Sequence, residues 1–140
     1  MKLKMDKVAL QAFLAAEFSN AVDQYVVEDV SPMHTTLRLP VSGKHLRPGG
    51  TVSGPSMFGL ADVSMYLAVL SMIGPVKLAV TINCSIDFMR KPAAGMDLTA
   101  KARILKLGRS LAVGTVLLYS DGQADPVARA SLTYSIPPAR

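Results

Sequence analysis

Hydrophobic positions along the chain follow two periods, separated by one stretch that follows neither. Between Asp6 and Phe18, residues Leu10, Phe13, Leu14 and Phe18 recur at helical spacing, which predicts a short amphipathic helix stopped by Ser19-Asn20. Tyr25 to Val30 predicts a first strand, broken at Ser31-Pro32, and Met33, Thr35, Leu37 and Leu39 then alternate with His34, Thr36 and Arg38 as a second. Pro40 to Val52 is a Gly-rich loop. It feeds the exceptional stretch, Ser53 to Pro75, which has a Gly-Pro pair at each end, Gly54-Pro55 and Gly74-Pro75. Pro suits the first helical positions, where a missing N–H costs nothing, and Gly suits the position past the last turn. Roughly 19 residues, about 28 Å of helix, lie between the pairs. Nearly every side of that helix is apolar, the mark of burial all round.

After Gly74-Pro75 the period becomes two. Strands are predicted over Val76–Met89, Asp97–Leu107, Leu111–Tyr119 and Val127–Ile136. Turns fall at Pro92-Ala93-Ala94-Gly95, at Gly108-Arg109 and from Ser120 to Pro126, and Pro137-Pro138 closes the domain. The order implies an α+β chain in one domain, residues 1–140. A helix apolar on all sides asks to be enclosed, so a strongly curved antiparallel sheet wrapped around a long central helix is expected. That geometry is the hotdog fold.

Composition narrows the function classes. Half of the 140 residues are hydrophobic and 18% are charged, which excludes disorder and hints at extra burial in an oligomer interface. The net charge is +5, but the basic residues are scattered, with Arg90-Lys91 the only adjacent pair. A nucleic-acid surface would show a clustered stripe, so no nucleic-acid partner is expected. The single cysteine, Cys84, excludes an intrachain disulfide and fits a reducing compartment. It shares a face of its predicted strand with Ile82, Ile86 and Phe88, where a buried apolar role outweighs a reactive one. No continuous apolar core with a cleavage site follows the N-terminus, and Asp62 argues against reading Met57–Ile73 as a membrane span. A cytoplasmic protein without a membrane partner is the expectation.

Asp62 needs explaining in its own right. A carboxylate in so apolar a helix is costly unless it is hydrogen-bonded or works in catalysis. No metal is expected to hold it, since two histidines and one cysteine stand far apart without ligand spacing. A serine nucleophile is not supported either, because no G-x-S-x-G is present.

The sequence resembles the PaaI-like acyl-CoA thioesterases of the hotdog superfamily, over residues 30 to 136. Carrying residues are Gly50-Thr51-Val52-Ser53-Gly54, Leu60-Ala61-Asp62, Ala79-Val80-Thr81, Asp87-Phe88-Met89-Arg90-Lys91-Pro92, Gly108-Arg109 and Val127-Ala128-Arg129-Ala130. Each piece is weak alone, and their order and spacing make the likeness. The family segment before the helix usually reads His-Gly-Gly, with an acid after it. Here it is a Ser-Gly-Pro variant, Ser53-Gly54-Pro55, with the acid at Asp62. Arg47 stands where the family often has Asn or Gln.

The resemblance implies hydrolysis of an acyl-CoA thioester, with no cofactor because coenzyme A is part of the substrate. It also implies a site formed between the subunits of a homodimer or dimer of dimers. Hydrolysis needs a group that activates water or attacks directly, and donors for the developing oxyanion. Asp62 is the expected base or nucleophile, with both roles open. The Gly54 N–H at the helix N-terminus would polarise the carbonyl. Ser53 would hydrogen-bond substrate or cap the helix, and Pro55 rigidifies that turn. Arg47 would orient water or meet a CoA phosphate, His45 lies close by in the loop, and Arg90, Lys91 and Arg109 would form a cationic rim for the nucleotide. Met57, Phe58, Met65, Ile82 and Phe88 are pocket or core residues. The alternatives are a non-catalytic acyl-CoA carrier or sensor and, behind it, a hydratase, for which His45 stands too far before the helix.

Overall fold

A computed structural model of the chain describes residues 2–18 and 25–138. Helix α1 (Lys7–Glu17) starts at Asp6, whose carboxylate accepts from the Ala9 N–H at 2.9 Å, and it buries Leu10, Phe13 and Leu14. The stop expected at Ser19-Asn20 lies outside the described residues. Strands β1 (Val26–Ser31) and β2 (His34–Leu39) form a hairpin. Helix α2 (Gly54–Ile73) runs between the two Gly-Pro pairs as expected. Ser53 caps its start, and Gly74, at φ 96°, ends it in a conformation that favours glycine. Then come β3 (Val80–Phe88), β4 (Leu98–Leu107), β5 (Leu111–Ser120) and β6 (Ala128–Ser135). The strand expected from Val76 begins later. Tight backbone bonds from Val76 N–H to Gly74 O and from Ala79 N–H to Val76 O make residues 74–79 a turn.

The strands form one antiparallel sheet in the order β1-β2-β4-β5-β6-β3. This corrects the expected architecture. The α+β class and the central helix stand, but the sheet is open and does not wrap around α2. Among the described residues, its end strands β1 and β3 pair with nothing across the helix. Packing shows why no wrapping is required. One side of α2 lies on the sheet face made by Leu37, Leu39, Ala100, Val116 and Leu118. Another flank is covered by α1 and the segment before it: the Phe13 ring meets Tyr66 at a tilt of 56°, and the Lys4 and Met5 N–H groups donate to Ser71 O.

The helix is therefore not buried all round. Pro55, Phe58, Gly59, Asp62, Val63 and Tyr66 remain partly or fully exposed, and their spacing puts them on one stripe of the helix. Although α2 is long and apolar enough to cross a membrane, 67% of its most apolar 18-residue stretch is buried against the rest of the fold, so it serves as the core helix.

The two sheet edges differ. Gln11 of α1 bonds the start of the β1 edge as a strand would: its amide donates to Tyr25 O at 3.2 Å and its carbonyl accepts from the Val27 N–H at 2.8 Å. Nearby Arg38 bonds Glu28, Asp97 and Asp121, which hold the guanidinium firmly charged and tie β1 and β2 to the β4 and β5 ends. The β3 edge has no such cover among the described residues, and Val80, Ile82, Phe88 and Met89 are exposed along and just beyond it.

Candidate active site

Asp62 sits on the exposed stripe, two turns into α2, half-buried. Its Oδ1 accepts two short hydrogen bonds, from Thr81 Oγ1 at 2.6 Å and from the Tyr134 hydroxyl at 2.6 Å. The same hydroxyl lies 3.0 Å from the Asp62 carbonyl oxygen. Thr81 and Tyr134 are directly opposite each other on β3 and β6. Oδ2 accepts nothing from the described residues, and no unpartnered side-chain oxygen of a half-buried residue is sealed from solvent. One carboxylate oxygen is thus anchored and the other is open.

A β-bulge makes this arrangement possible. The β3–β6 register slips between Thr81 and Asn83, so Thr81, rather than Ile82, turns to the helix side. Beyond the bulge the alternation resumes, with Cys84 and Ile86 packed against the core. The expectation that Ile82 and Cys84 share a buried face is corrected accordingly: Ile82 is 57% exposed.

The electrostatics follow from burial and one charge. Burial, then the charge of Asp62, pushes the Tyr134 phenol well above the ordinary tyrosine range, so it stays a proton donor. The same two causes push the Cys84 thiol up, which keeps it neutral and matches its expected non-reactive role.

The second part of the site is the start of α2. Gly54 is the first helical residue, and its N–H has no acceptor among the described residues. The Phe88 ring lies against it, 3.3 Å from where a Cβ would stand. Ser53 is committed to the cap: its hydroxyl accepts from the Ser56 N–H at 3.3 Å and donates to Ser56 Oγ at 3.0 Å. Pro55 is exposed in the first turn.

The remaining expected residues are spread out. His45 is buried at 3% exposure in a short 3-10 turn (Gly43–His45), and its Nδ1 accepts from the Ser42 N–H at 2.9 Å. It anchors the loop and does not lie on its surface. Arg47 is exposed on a turn closed by bonds from its N–H to Thr51 O and from the Gly50 N–H to Arg47 O. Arg90 and Lys91 are exposed beyond the Phe88 end of β3, where Arg90 donates to Pro126 O at 2.7 Å. Arg109 lies past the opposite end. There it lines, with Lys77, an apolar groove of about 440 Å³ floored by Ile73, Val76 and Ile136. Met57 and Met65 are core, whereas Phe58 and Phe88 are exposed.

The expected residues therefore fall toward the two ends of β3. Gly54, Phe88, Arg90 and Lys91 stand toward one end; Asp62 stands toward the other, beside Thr81, and Arg109 lies farther on, at the Ile73 end of α2. Along α2 the Gly54 N–H and Asp62 are about 12 Å apart, too far to act on one carbonyl. Among the described residues no group of His, Cys, Asp and Glu is arranged to hold a metal ion.

Sequence reasoning gave Thr81 no role and missed Tyr134. A signal for the latter was present: Ala128, Ala130, Leu132 and Tyr134 share the buried face of β6, and a lone hydroxyl on such a face must find an acceptor.

Comparison with known proteins adds a lineage to this geometry. The family profile described as Thioesterase superfamily matches residues 49–127. A Silicibacter sp. TM1040 protein assigned to the thioesterases has a solved structure with 54% identity, covering 99% of this chain and 96% of its own, at a TM-score of 0.91. A Pseudomonas aeruginosa protein assigned to the esterases is 31% identical over 71% of this chain and 72% of its own. The phenylacetic acid degradation protein PaaI of Thermus thermophilus, solved as a mutant, is 29% identical, covering 86% of this chain and 99% of its own, at a TM-score of 0.73.

Proposed function

Because this chain belongs to the thioesterase superfamily and is a thioester hydrolase, we propose that it cleaves an acyl-CoA thioester to the free acid and CoA. The observation that carries the reading is the divided carboxylate of Asp62, with Oδ1 held by Thr81 and Tyr134 and Oδ2 open on an apolar stripe. In this reading Oδ2 takes a proton from water as the water oxygen attacks the carbonyl carbon, or attacks that carbon itself to give an anhydride that water then opens. In either route the C–S bond breaks and CoA leaves as its thiol. The Gly54 N–H, at the positive end of the helix dipole, stabilises the oxyanion. The Ser-Gly-Pro variant of the family segment keeps this donor while Ser53 serves the cap.

The 12 Å gap calls for a second copy. We place the homodimer contact on the bare β3 edge and the adjoining α2 stripe, because long apolar edges left open invite pairing. A two-fold axis across antiparallel β3 strands lays the Gly54 end of one copy against the Asp62 end of its partner. The same operation sets Arg109 of one copy toward Arg90 and Lys91 of the other, a cationic rim suited to CoA phosphates, with Arg47 on the neighbouring loop. A dimer of dimers extends this arrangement, and a cytoplasmic location fits the lone thiol.

The test is thiol release by the purified protein over a panel of aryl- and fatty acyl-CoAs, beside Asp62→Asn. Turnover that collapses in the variant supports the reading. Folded protein that binds CoA esters without turnover points instead to a carrier or sensor. Single turnover in H₂¹⁸O separates the two routes, since label enters the Asp62 carboxylate only if that group attacks.

A further inference from the structure

We propose that Tyr134 is a positioning residue for catalysis, its buried hydroxyl pinning Oδ1 of Asp62 so that Oδ2 alone is presented to the substrate. The inference rests on the reading of Asp62 given above.

Three observations carry it. The first is the hydroxyl's dual contact, 2.6 Å to Oδ1 and 3.0 Å to the carbonyl oxygen of the same residue. It thus grips both the side chain and the helix backbone from which that side chain hangs. The second is the rigidity of the phenol itself. Tyr134 is 3% exposed, and its ring stacks on Tyr66 with centroids 6.0 Å apart and planes 24° apart. Tyr66 is fixed in turn by its hydroxyl, which donates to Lys77 O at 3.1 Å. The third is the contrast between the two carboxylate oxygens. Thr81 and Tyr134 converge on Oδ1, whereas Oδ2 is left to solvent.

A carboxylate free to rotate about its Cβ–Cγ bond spends time in orientations that turn the lone pairs of both oxygens away from the substrate. Two donors on one oxygen hold the carboxylate plane fixed. The groups facing Asp62 from the packed elements are Thr81 and Cys84 on β3 and Tyr134 on β6. Burial and the charge of Asp62 hold both the Cys84 thiol and the Tyr134 phenol in their protonated forms, so none of these groups supplies a competing charge.

The experiment is Tyr134→Phe, which keeps the stacked ring and deletes the hydroxyl. We expect kcat to fall roughly 10- to 100-fold, the loss of one hydrogen bond to a charged group, with KM nearly unchanged. In an Asp62→Asn background the same change should cause no further loss, because there is no longer a carboxylate to pin. Thr81→Val should behave as Tyr134→Phe does, and Thr81→Ser should restore most of the rate. That pair carries the test if the tyrosine variant fails to fold.

A Tyr134→Phe enzyme with wild-type kcat overturns the proposal while Asp62→Asn remains inactive. An equal fractional loss with and without Asp62 overturns it as well, since it marks a merely structural role. Wild-type turnover in Asp62→Asn is different: it removes the reading of the site and this proposal together.

Discussion

Gly114 of β5 lies against Met65 of the helix, and replacing it with alanine should loosen the seat of Asp62 from a distance. A Cβ built on Gly114 would stand 2.5 Å from the backbone oxygen of Arg103 and 3.0 Å from Met65 Sδ, and closer still to Met65 Cε. The methionine is flexible and can swing aside. The Arg103 carbonyl cannot, because β4 is paired on both sides and Ile104, its neighbour, stands directly across from Gly114. Either β5 must draw away from β4 or α2 must lift. Overpacking of this kind costs about 1–3 kcal/mol, offset by about 0.4–1 kcal/mol because alanine restricts the unfolded chain. The net expectation is a loss of about 1–2 kcal/mol, or roughly 2–8 °C in melting temperature. Urea unfolding followed by circular dichroism measures it. Trimming Met65 to alanine in the same background should recover only part of the conflict, since the carbonyl remains. Met65 lies one turn from Asp62 on α2, so turnover should fall along with stability. A Gly114→Ala protein that unfolds at or above the wild-type urea midpoint would refute the packing argument.

Other consequences are open to equally direct measurement. Ser53→Ala should cost about 1 kcal/mol in urea unfolding by removing the α2 cap, and Ser53→Asn should restore it. Tyr134 and Tyr66 both titrate above their ordinary value in the folded chain, so the stability they contribute is intact below the unfolded value of about 10 and is lost as pH rises beyond it. The urea midpoint should therefore drop above about pH 10, and less steeply in Tyr134→Phe. Ile82→Lys on the bare β3 edge should yield monomer in analytical ultracentrifugation and reduce thiol release at least about 10-fold, with little change in melting temperature.

The parts of this fold that were legible in the sequence are those governed by local rules. Gly-Pro pairs marked both ends of α2 because cap geometry depends on a few adjacent residues. Alternation located β2, β4, β5 and β6 within a residue or two. Asp62 stood out because a carboxylate is foreign to such a helix. What escaped depended on neighbours distant in sequence. The bulge at Ile82 is invisible in the alternation of β3, since it arises from pairing with β6. An apolar surface on every side of α2 suggested enclosure by the sheet. In the fold, the sheet takes one side, α1 another, and a stripe containing Phe58 and Val63 is left open. His45 read only as a loop residue near Arg47, whereas the turn that buries it is fixed by Ser42.

Consider, finally, what Gln11 does for the chain as a building block. A sheet with two open edges is a bifunctional monomer, able to add copies at both ends and grow into a fibre. By committing its side-chain amide to Tyr25 O and the Val27 N–H, Gln11 blocks the start of one of those edges. In the pairing proposed above, growth through the remaining edge would then end at a single step, as it does for any monomer with one reactive end. A residue remote from the chemistry, on a short amphipathic helix, would be the chain stopper that separates finite assembly from polymerisation.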